Sequence, residues 1–344
     1  MTTHGRPLAL TARGIPDLLG AVPILLGFHP SDSVCLLGVQ PRDTPGTYQV
    51  VSTFLTDLPA GRANLARLRA SLRDLLDRDG PDGVLLVGYG PAVRVTAAVD
   101  AFWGAAAEAG VPVLEAVRVT GGRYWSYLCD DLDCCPAEGV PFEPSTRALT
   151  TAAVVHGVVV QPSRDHLADT ADLTRGTTAA AMRDATVQAR RWLAERRQDD
   201  RPAAVDRLRE AGVAMARAGV AAHEAGGWLS VQDVARLSVL LSDLEFRDLL
   251  VIEIAATNGG LDGHVALWTD LTQRAQTNVA ACATVLAFAA WCGGKLALAA
   301  IAVCRALRDD PGYRPAQMLD TALVEGIPPA AFEEFFDELA GGGA

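Results

Sequence analysis

Segments with the hydrophobic pattern of β-strands occur only before about residue 145 of this 344-residue chain, and this limits its possible folds. Up to that point, short apolar runs alternate with segments whose apolar residues recur at helical spacing. Beyond it, the apolar patterns are helical throughout. The sequence therefore predicts the α+β class, with an N-terminal mixed α/β sheet domain over residues 1–150 followed by an all-helical C-terminal domain over residues 151–344. We place the boundary region within residues 143–163.

Five strands are predicted in the first domain, and the third has the clearest pattern. Residues 84–87 form an apolar run without a polar residue, which is typical of a strand covered on both faces. The predicted strands span residues 34–39, 48–55, 84–87, 111–120 and 123–128. The predicted helices of the same domain span residues 16–26, a segment that starts at residue 61, and residues 92–109.

Gly121-Gly122 separates the last two predicted strands. Because a two-residue hairpin loop needs positive φ at its central residues, this pair predicts a tight β-hairpin. The hairpin register would pair Thr120 with Arg123 and Arg118 with Trp125. The second pair would set a guanidinium over an indole, a contact worth about 0.5–1 kcal/mol at an exposed site.

The second domain ends in two amphipathic helices, predicted over residues 278–291 and 295–308 and joined at Gly293-Gly294. Their small alanines, followed by Asp310-Pro311, resemble a tetratricopeptide hairpin, although an ordinary helical bundle needs the same small residues. We expect the pair to pack on a further helix near residues 315–325. The exposed side of this helical tail is a candidate docking surface for a protein partner. The other helices predicted in this domain span residues 146–156, 165–173, 177–197 and a segment that starts at a Ser230 capping box.

The net charge of -11 argues against two classes of partner. Nucleic acid and anionic membranes bind proteins through clustered cations, so neither is expected to bind this chain. The start of the chain has no basic region followed by an apolar one, and residues 279–290 are too few to span a bilayer. Seven scattered cysteines, an odd number, do not indicate the disulfide framework of a secreted protein. We therefore expect a cytoplasmic protein.

Cys129, Cys134 and Cys135 lie close together in a segment that we call the cysteine loop (residues 129–135). Thiolates are preferred ligands of zinc, so the loop is a candidate zinc site. A loop whose thiols only pack against the protein is the alternative. Catalysis by a cysteine nucleophile is disfavoured because the neighbouring carboxylates oppose thiolate formation. The spacing is not that of a standard zinc motif, and a fourth ligand would have to come from Asp133, Glu138, His29 or His156.

A second polar cluster precedes the first predicted strand, in the His29 turn (residues 27–33). His29, Ser31, Asp32 and Ser33 have the composition of a hydrolase triad, but neighbours in one turn rarely converge as a triad requires. The chain also lacks the Gly-x-Ser-x-Gly elbow of hydrolases. A rigid turn, bonded through Ser31 or Asp32 to nearby backbone amides, is the alternative. The candidate ligand-binding residues are His29, Ser31, Asp32, Ser33, Tyr89, Arg123 and Trp125.

We predict that the cysteine loop and the His29 turn form one composite site. The hairpin would bring the loop to the sheet edge that carries the turn, since both segments adjoin strand ends. The Gly88-Tyr89-Gly90 segment, between a strand and a helix, could bind an anion through its backbone amides. A tight turn in which Tyr89 packs against the protein is the alternative for this segment.

Several of these motifs resemble an actinobacterial family known as domain of unknown function 4192. The resemblance implies a cytoplasmic actinobacterial protein, and the family brings no established reaction or cofactor. Residues 160–275 carry no motif that matches it. The matching segments are residues 18–33, 87–89, 123–129, 134–136, 139, 291–294, 299–311 and 326–329.

Two functions remain open from the sequence. In the first, the chain is a cytoplasmic binding or scaffold protein whose α/β domain recognises a ligand or partner and whose helical tail docks proteins. In the second, it is an enzyme of unknown reaction, with or without zinc at the cysteine loop. The pocket of that enzyme would be lined by His29, Asp32, Tyr89, Arg123 and Trp125. We favour the first function because no catalytic constellation in the sequence is specific.

Overall fold

A computed structural model describes residues 14–42, 48–142, 160–172, 177–257, 260–325, 327 and 329 of the protein. The chain divides between Ser163 and Arg164 into two compact units. We call them the sheet unit and the helical unit, in chain order. The predicted domain boundary at residues 150–151 and the predicted helix over residues 146–156 lie outside the described residues.

The sheet unit contains a mixed six-stranded sheet with the strand order β2-β1-β3-β4-β5-β6. β3 and β4 are parallel, whereas the other neighbouring strands are antiparallel. The predicted α+β class is therefore confirmed. The strands are β1 (Ser33–Pro41), β2 (Tyr48–Asp57), β3 (Gly83–Tyr89), β4 (Val113–Thr120), β5 (Arg123–Ser126) and β6 (Val140–Pro141).

Two helices and one face of this sheet enclose a hydrophobic core. The three described helices of the unit are α1 (Ile15–Leu26), α2 (Arg62–Asp79) and α3 (Ala92–Ala109). Leu72 from α2 and Phe102 from α3 are buried against Leu36 and Ala116 of the sheet. α3 also connects β3 to β4, which is the usual way to join two parallel strands.

The central strands are buried on both faces, as the apolar run at residues 84–87 predicts. In β1, Leu36 belongs to the core beside α2 and α3. Its neighbours Cys35 and Leu37, which point to the opposite face, are equally inaccessible. In β3, Val87 is also completely buried.

The predicted hairpin is confirmed in loop length and register. Gly121 and Gly122 have φ values of 58° and 71°, the left-handed conformation that favours glycine. Arg118 pairs with Trp125, and the guanidinium carbon lies 3.6 Å from the centre of the indole. β5 is shorter than predicted because the Ser126 hydroxyl accepts a hydrogen bond from the Leu128 amide, which turns the chain away from the sheet.

The helical unit contains no strand within its described residues, as predicted. Its helices are α4 (Arg164–Asp169), α5 (Thr177–Arg196), α6 (Pro202–Glu224), α7 (Val231–Leu240), α8 (Leu244–Ala255), α9 (Asp262–Arg274), α10 (Val279–Cys292), α11 (Leu296–Asp309) and α12 (Arg314–Val324). The predicted helix over residues 165–173 was too long. The chain turns after Asp169, where the Thr170 hydroxyl bonds to the Leu167 carbonyl in competition with the helix.

α10 is the central helix of this unit. It is apolar around its whole circumference, and residues 279–291 are all buried. α10 packs against α8, α9, α11 and α12, and α11 also packs against α12. The predicted helical pair resting on a further helix is therefore confirmed, but the prediction that its first helix is amphipathic was wrong, because neighbouring helices cover α10 on all sides. No described helix of the chain is long and apolar enough to cross a membrane.

A buried ion pair joins elements of the helical unit. Asp270 on α9 is only 1% exposed, and its carboxylate accepts a 2.8 Å hydrogen bond from Arg274 one turn later. Arg274 also donates to the Leu229 carbonyl, in the segment before α7. His223 Nε2 on α6 lies 3.5 Å from the same carboxylate. These side chains are all largely buried. If one charged partner is removed, water cannot take its place and solvate the charge that remains.

We expect Asp270→Ala to lower the free energy of unfolding by about 3–5 kcal/mol, since it leaves the buried Arg274 guanidinium uncompensated. Asp262→Ala is the matched control, because Asp262 begins the same helix and pairs with Lys295 at the surface. Its effect should stay below about 1 kcal/mol. Urea denaturation followed by far-UV circular dichroism measures both, and equal losses would contradict the assignment of Asp270 as a buried partner.

Candidate functional site

The thiols of the cysteine loop converge. The Sγ atoms of Cys129, Cys134 and Cys135 all lie within 4.8 Å of one another, and those of Cys134 and Cys135 are 4.0 Å apart. Sulfur ligands at about 2.3 Å from a tetrahedral zinc ion lie roughly 3.8 Å from each other. A small contraction would therefore bring the three sulfurs to zinc-binding distance. Within the described residues, no other group of His, Cys, Asp or Glu side chains converges in this way.

Short-range hydrogen bonds within the loop fold the chain back on itself. The Cys135 amide donates to the Asp131 carbonyl at 2.6 Å, and the Asp133 amide donates to the Asp131 side chain at 2.9 Å. Asp131 thus closes a turn that returns the adjacent cysteines to Cys129. This interaction belongs to the Asx turns that Asp and Asn form with amides two residues later.

Side chains of β5 hold the chain that leaves the loop. The indole Nε1 of Trp125 donates to the Ala137 carbonyl at 3.0 Å, and Arg123 donates to the Gly139 carbonyl at 2.6 Å. Gly139 has a φ of 81°, and a Cβ atom there would lie 2.4 Å from the Trp125 ring. Only glycine permits both this conformation and this approach. Trp125 is itself covered by Arg118, so the segment after the loop rests on a fixed surface.

The thiols strongly affect one another electrostatically. A hydrogen bond with Cys129, together with burial and a hydrogen bond with Cys134, raises the pKa of the Cys135 thiol to about 12. Burial raises the pKa of Tyr124, and the three nearby thiols raise it further. A high thiol pKa disfavours a nucleophilic role for Cys135, in agreement with the sequence analysis. A cation bound by this thiol displaces its proton, so such binding strengthens as the pH rises.

The predicted fourth ligands do not complete the group. Neither Asp133 nor Glu138 nor His29 has a side-chain donor atom within the converging set of the described residues. The Asp133 amide and the Glu138 carbonyl take part in holding the loop instead. His156 lies outside the described residues.

Hydrogen bonds tie the His29 turn to neighbouring elements of the sheet unit. Asp32 has a φ of 44°, and its carbonyl accepts a 2.7 Å hydrogen bond from the Leu58 amide. Arg94 donates to the Asp32 carboxylate and to the Leu58 carbonyl, both at 2.9 Å, and so joins the turn to α3. The His29 amide donates to the Gln161 carbonyl, while the side chains of His29 and Ser31 are exposed. Asp32 thus has a structural partner in Arg94.

Ser33 and Tyr89 form a buried polar pair beneath this turn. They lie directly opposite each other on β1 and β3, so their side chains share a sheet face. The hydroxyl groups of both are buried and have no hydrogen-bond partner among the described residues. Burial is the main cause of the raised pKa of Tyr89, with a smaller contribution from Cys35. The Tyr89 side chain therefore packs inside the protein. This agrees with the second of the two interpretations given for the Gly88-Tyr89-Gly90 segment, a tight turn.

The prediction of one composite site is wrong. The His29 turn leads into β1 at the end of the sheet where β3 and β4 terminate, because Ser33 pairs with Tyr89. β5 begins at this same end and runs antiparallel to β4. The cysteine loop, which follows β5, therefore lies toward the opposite end of the strands. β3 and β4 also lie between β1 and β5. Arg123 and Trp125 both donate hydrogen bonds to the segment after the cysteine loop, not to the His29 turn.

Two open cavities lie away from all of these residues. One, of about 320 Å³, lies at the end of α3 beside Trp103. The other, of about 360 Å³, lies in the helical unit, where Arg190 donates to the Thr277 hydroxyl at 3.0 Å. No sequence pattern indicates the second cavity, since its polar residues are distant in the chain and none forms a motif. Its lining residues are Arg190, Leu193, Ala194, Arg197, Val239, Ser242, Thr277 and Asn278.

Comparison with known proteins identifies a family. A family model described as Domain of unknown function (DUF4192) matches residues 16–330, which include both units. The chain therefore belongs to this family. No curated protein and no solved structure shows a significant match. Because the family description names no activity, the function has to be argued from the geometry of the site.

We expect Gly139→Ala to destabilise the protein more than Gly110→Ala does. Both glycines have positive φ, but the Cβ position is open at Gly110 and occupied by the Trp125 indole at Gly139. The shared conformational cost is about 1–2 kcal/mol, and displacement of the indole adds about 1–3 kcal/mol at Gly139 alone. Urea denaturation measures the difference. Alkylation of Cys135 should also become faster in Gly139→Ala only, and an unchanged rate would show that the indole does not hold the loop.

Proposed function

We propose that this member of the DUF4192 family is a metal-binding protein whose sheet unit holds a thiophilic cation, zinc in the first place, at Cys129, Cys134 and Cys135. The convergence of the three Sγ atoms within 4.8 Å of one another is the observation that carries the proposal. Soft thiolate ligands select zinc and similar ions over magnesium or calcium.

The charge of the surrounding loop supports binding of a cation. Asp130, Asp131 and Asp133 are exposed and lie within the loop itself. Deprotonated thiols would add further negative charge to this segment, and a divalent cation offsets the repulsion among them. The same carboxylates weaken the case for a cysteine nucleophile, because they oppose an uncompensated thiolate.

A binding role agrees better with the contacts than the alternative of an enzyme pocket. The side chains proposed for that pocket are engaged in structure: Asp32 with Arg94, Arg123 with the Gly139 carbonyl, and Trp125 with the Ala137 carbonyl. Catalytic groups need to face a common substrate position. β3 and β4 lie between β1, which follows the His29 turn, and β5, which carries Arg123 and Trp125, so these residues supply no such position.

We expect the reduced full-length protein to retain one zinc ion per chain after reconstitution and desalting. Cys134→Ser should lower the zinc affinity by more than about tenfold, since even an outer partner of a metal ligand has effects of 10–100-fold. Cys304→Ser is the matched control, because Cys304 is an exposed cysteine of the helical unit. Competition with a chromophoric chelator measures the affinities.

Zinc should also slow alkylation of Cys134 while leaving Cys304 fully reactive, as read by mass spectrometry. Both thiols are exposed, so the difference reports metal binding and not general accessibility. Two results would refute the proposal. One is a wild-type protein that keeps no zinc on desalting, and the other is a Cys134→Ser variant with the affinity of the wild type.

A further inference from the structure

We propose that the three-thiol centre keeps one coordination position for an exchangeable neutral donor from outside the chain, such as water or the imidazole of another molecule. This inference rests on the metal-binding function proposed above. It makes the centre a ligand-exchange site instead of a closed structural zinc site. Structural zinc sites take four protein ligands, whereas sites with three protein ligands leave a position open.

The number of ligands is the first argument. Cys129, Cys134 and Cys135 converge, and no fourth side-chain donor of the described residues joins them. The Asp131 side chain, which is close in sequence, already accepts the Asp133 amide and shapes the turn. A tetrahedral ion held by the three thiolates therefore has one position to fill from elsewhere.

Solvent access is the second argument. Cys134 is exposed, and the neighbouring Leu132 side chain is 71% exposed. A ligand from solution can therefore approach the thiols without any rearrangement of the sheet. A closed structural zinc site would instead be enclosed by its own protein ligands.

Hydrogen bonds of the protein itself hold the loop in its closed form. The bonds of Asp131 within the loop and of Trp125 and Arg123 to the following segment already hold the thiols together. A structural zinc ion supplies the folding energy of its domain, and its removal unfolds the domain. We therefore expect the loop to stay closed when the ion leaves, as an exchange site requires.

Charge decides which donor the open position prefers. A divalent cation and three thiolates together carry a net charge of −1. The nearby side chains of Asp130, Asp131 and Asp133 add further negative charge. An anionic fourth ligand would approach against this field, whereas a neutral nitrogen or oxygen donor would not. The thiolates also reduce the positive charge that a bound water experiences, so this water keeps its proton and the site favours ligand exchange over hydrolysis.

Cobalt(II) in place of zinc gives the test, because its visible spectrum reports the ligand set. We expect the reduced full chain to bind Co²⁺ with thiolate charge-transfer bands, and imidazole to shift the visible bands in a saturable way. Azide, an anionic ligand, should bind more weakly. Asp130→Asn removes one carboxylate that has no hydrogen bond to another described residue, and should raise the ratio of azide to imidazole affinity by about twofold.

The outcomes separate this inference from the function on which it rests. Absence of thiolate charge-transfer bands on adding Co²⁺ would refute metal binding itself. Bands that appear but do not respond to imidazole would leave metal binding standing and refute the open position. A His156→Ala variant that gains an imidazole response absent from the wild type would identify the missing fourth ligand and likewise overturn the inference. Unfolding of the sheet unit on chelation would show a structural site.

Discussion

The indole of Trp125 contacts both the Arg118 guanidinium and the backbone of Gly139, and the geometry of the cysteine loop depends on this packing. Two strands of the sheet must be paired in the correct register before Arg118 can reach the ring. The ring in turn fixes the chain at Ala137 through its Nε1 hydrogen bond. The positions of the three thiols are thus coupled to the Gly121-Gly122 hairpin through one aromatic side chain.

This arrangement differs from a metal site that organises its own surroundings. Cys129 and Cys135 are brought together by hydrogen bonds of Asp131, and the following segment is held by β5. The sheet unit already has a core of its own around Leu72 and Phe102. In the metal site proposed above, a cation would therefore meet a preformed surface, and the free energy of binding would be available for discriminating among ions and external ligands.

Much of the architecture could be predicted because it depends on local pattern. The helix over Ala92–Ala109 begins after Pro91 and ends before Gly110, which adopts the left-handed conformation typical of a helix end. The register of the hairpin follows from its two glycines alone. α10 could be recognised by its continuous apolar sequence, and the Ser230 cap by its spacing from Asp233. In each case the interacting groups are a few residues apart.

The sequence by itself determined the order of strands and helices, the tight hairpin and the clustering of three cysteines, since all of these arise from neighbouring residues. Only the tertiary structure decided where the cysteine loop lies relative to the His29 turn, because this depends on β1 pairing antiparallel with β3 and on β3 and β4 lying between β1 and β5. It also assigned Arg123 and Trp125 to the Gly139 segment, and buried Asp270 beside Arg274. Strand order and burial are set by contacts between residues distant in the chain, and local sequence patterns do not specify them.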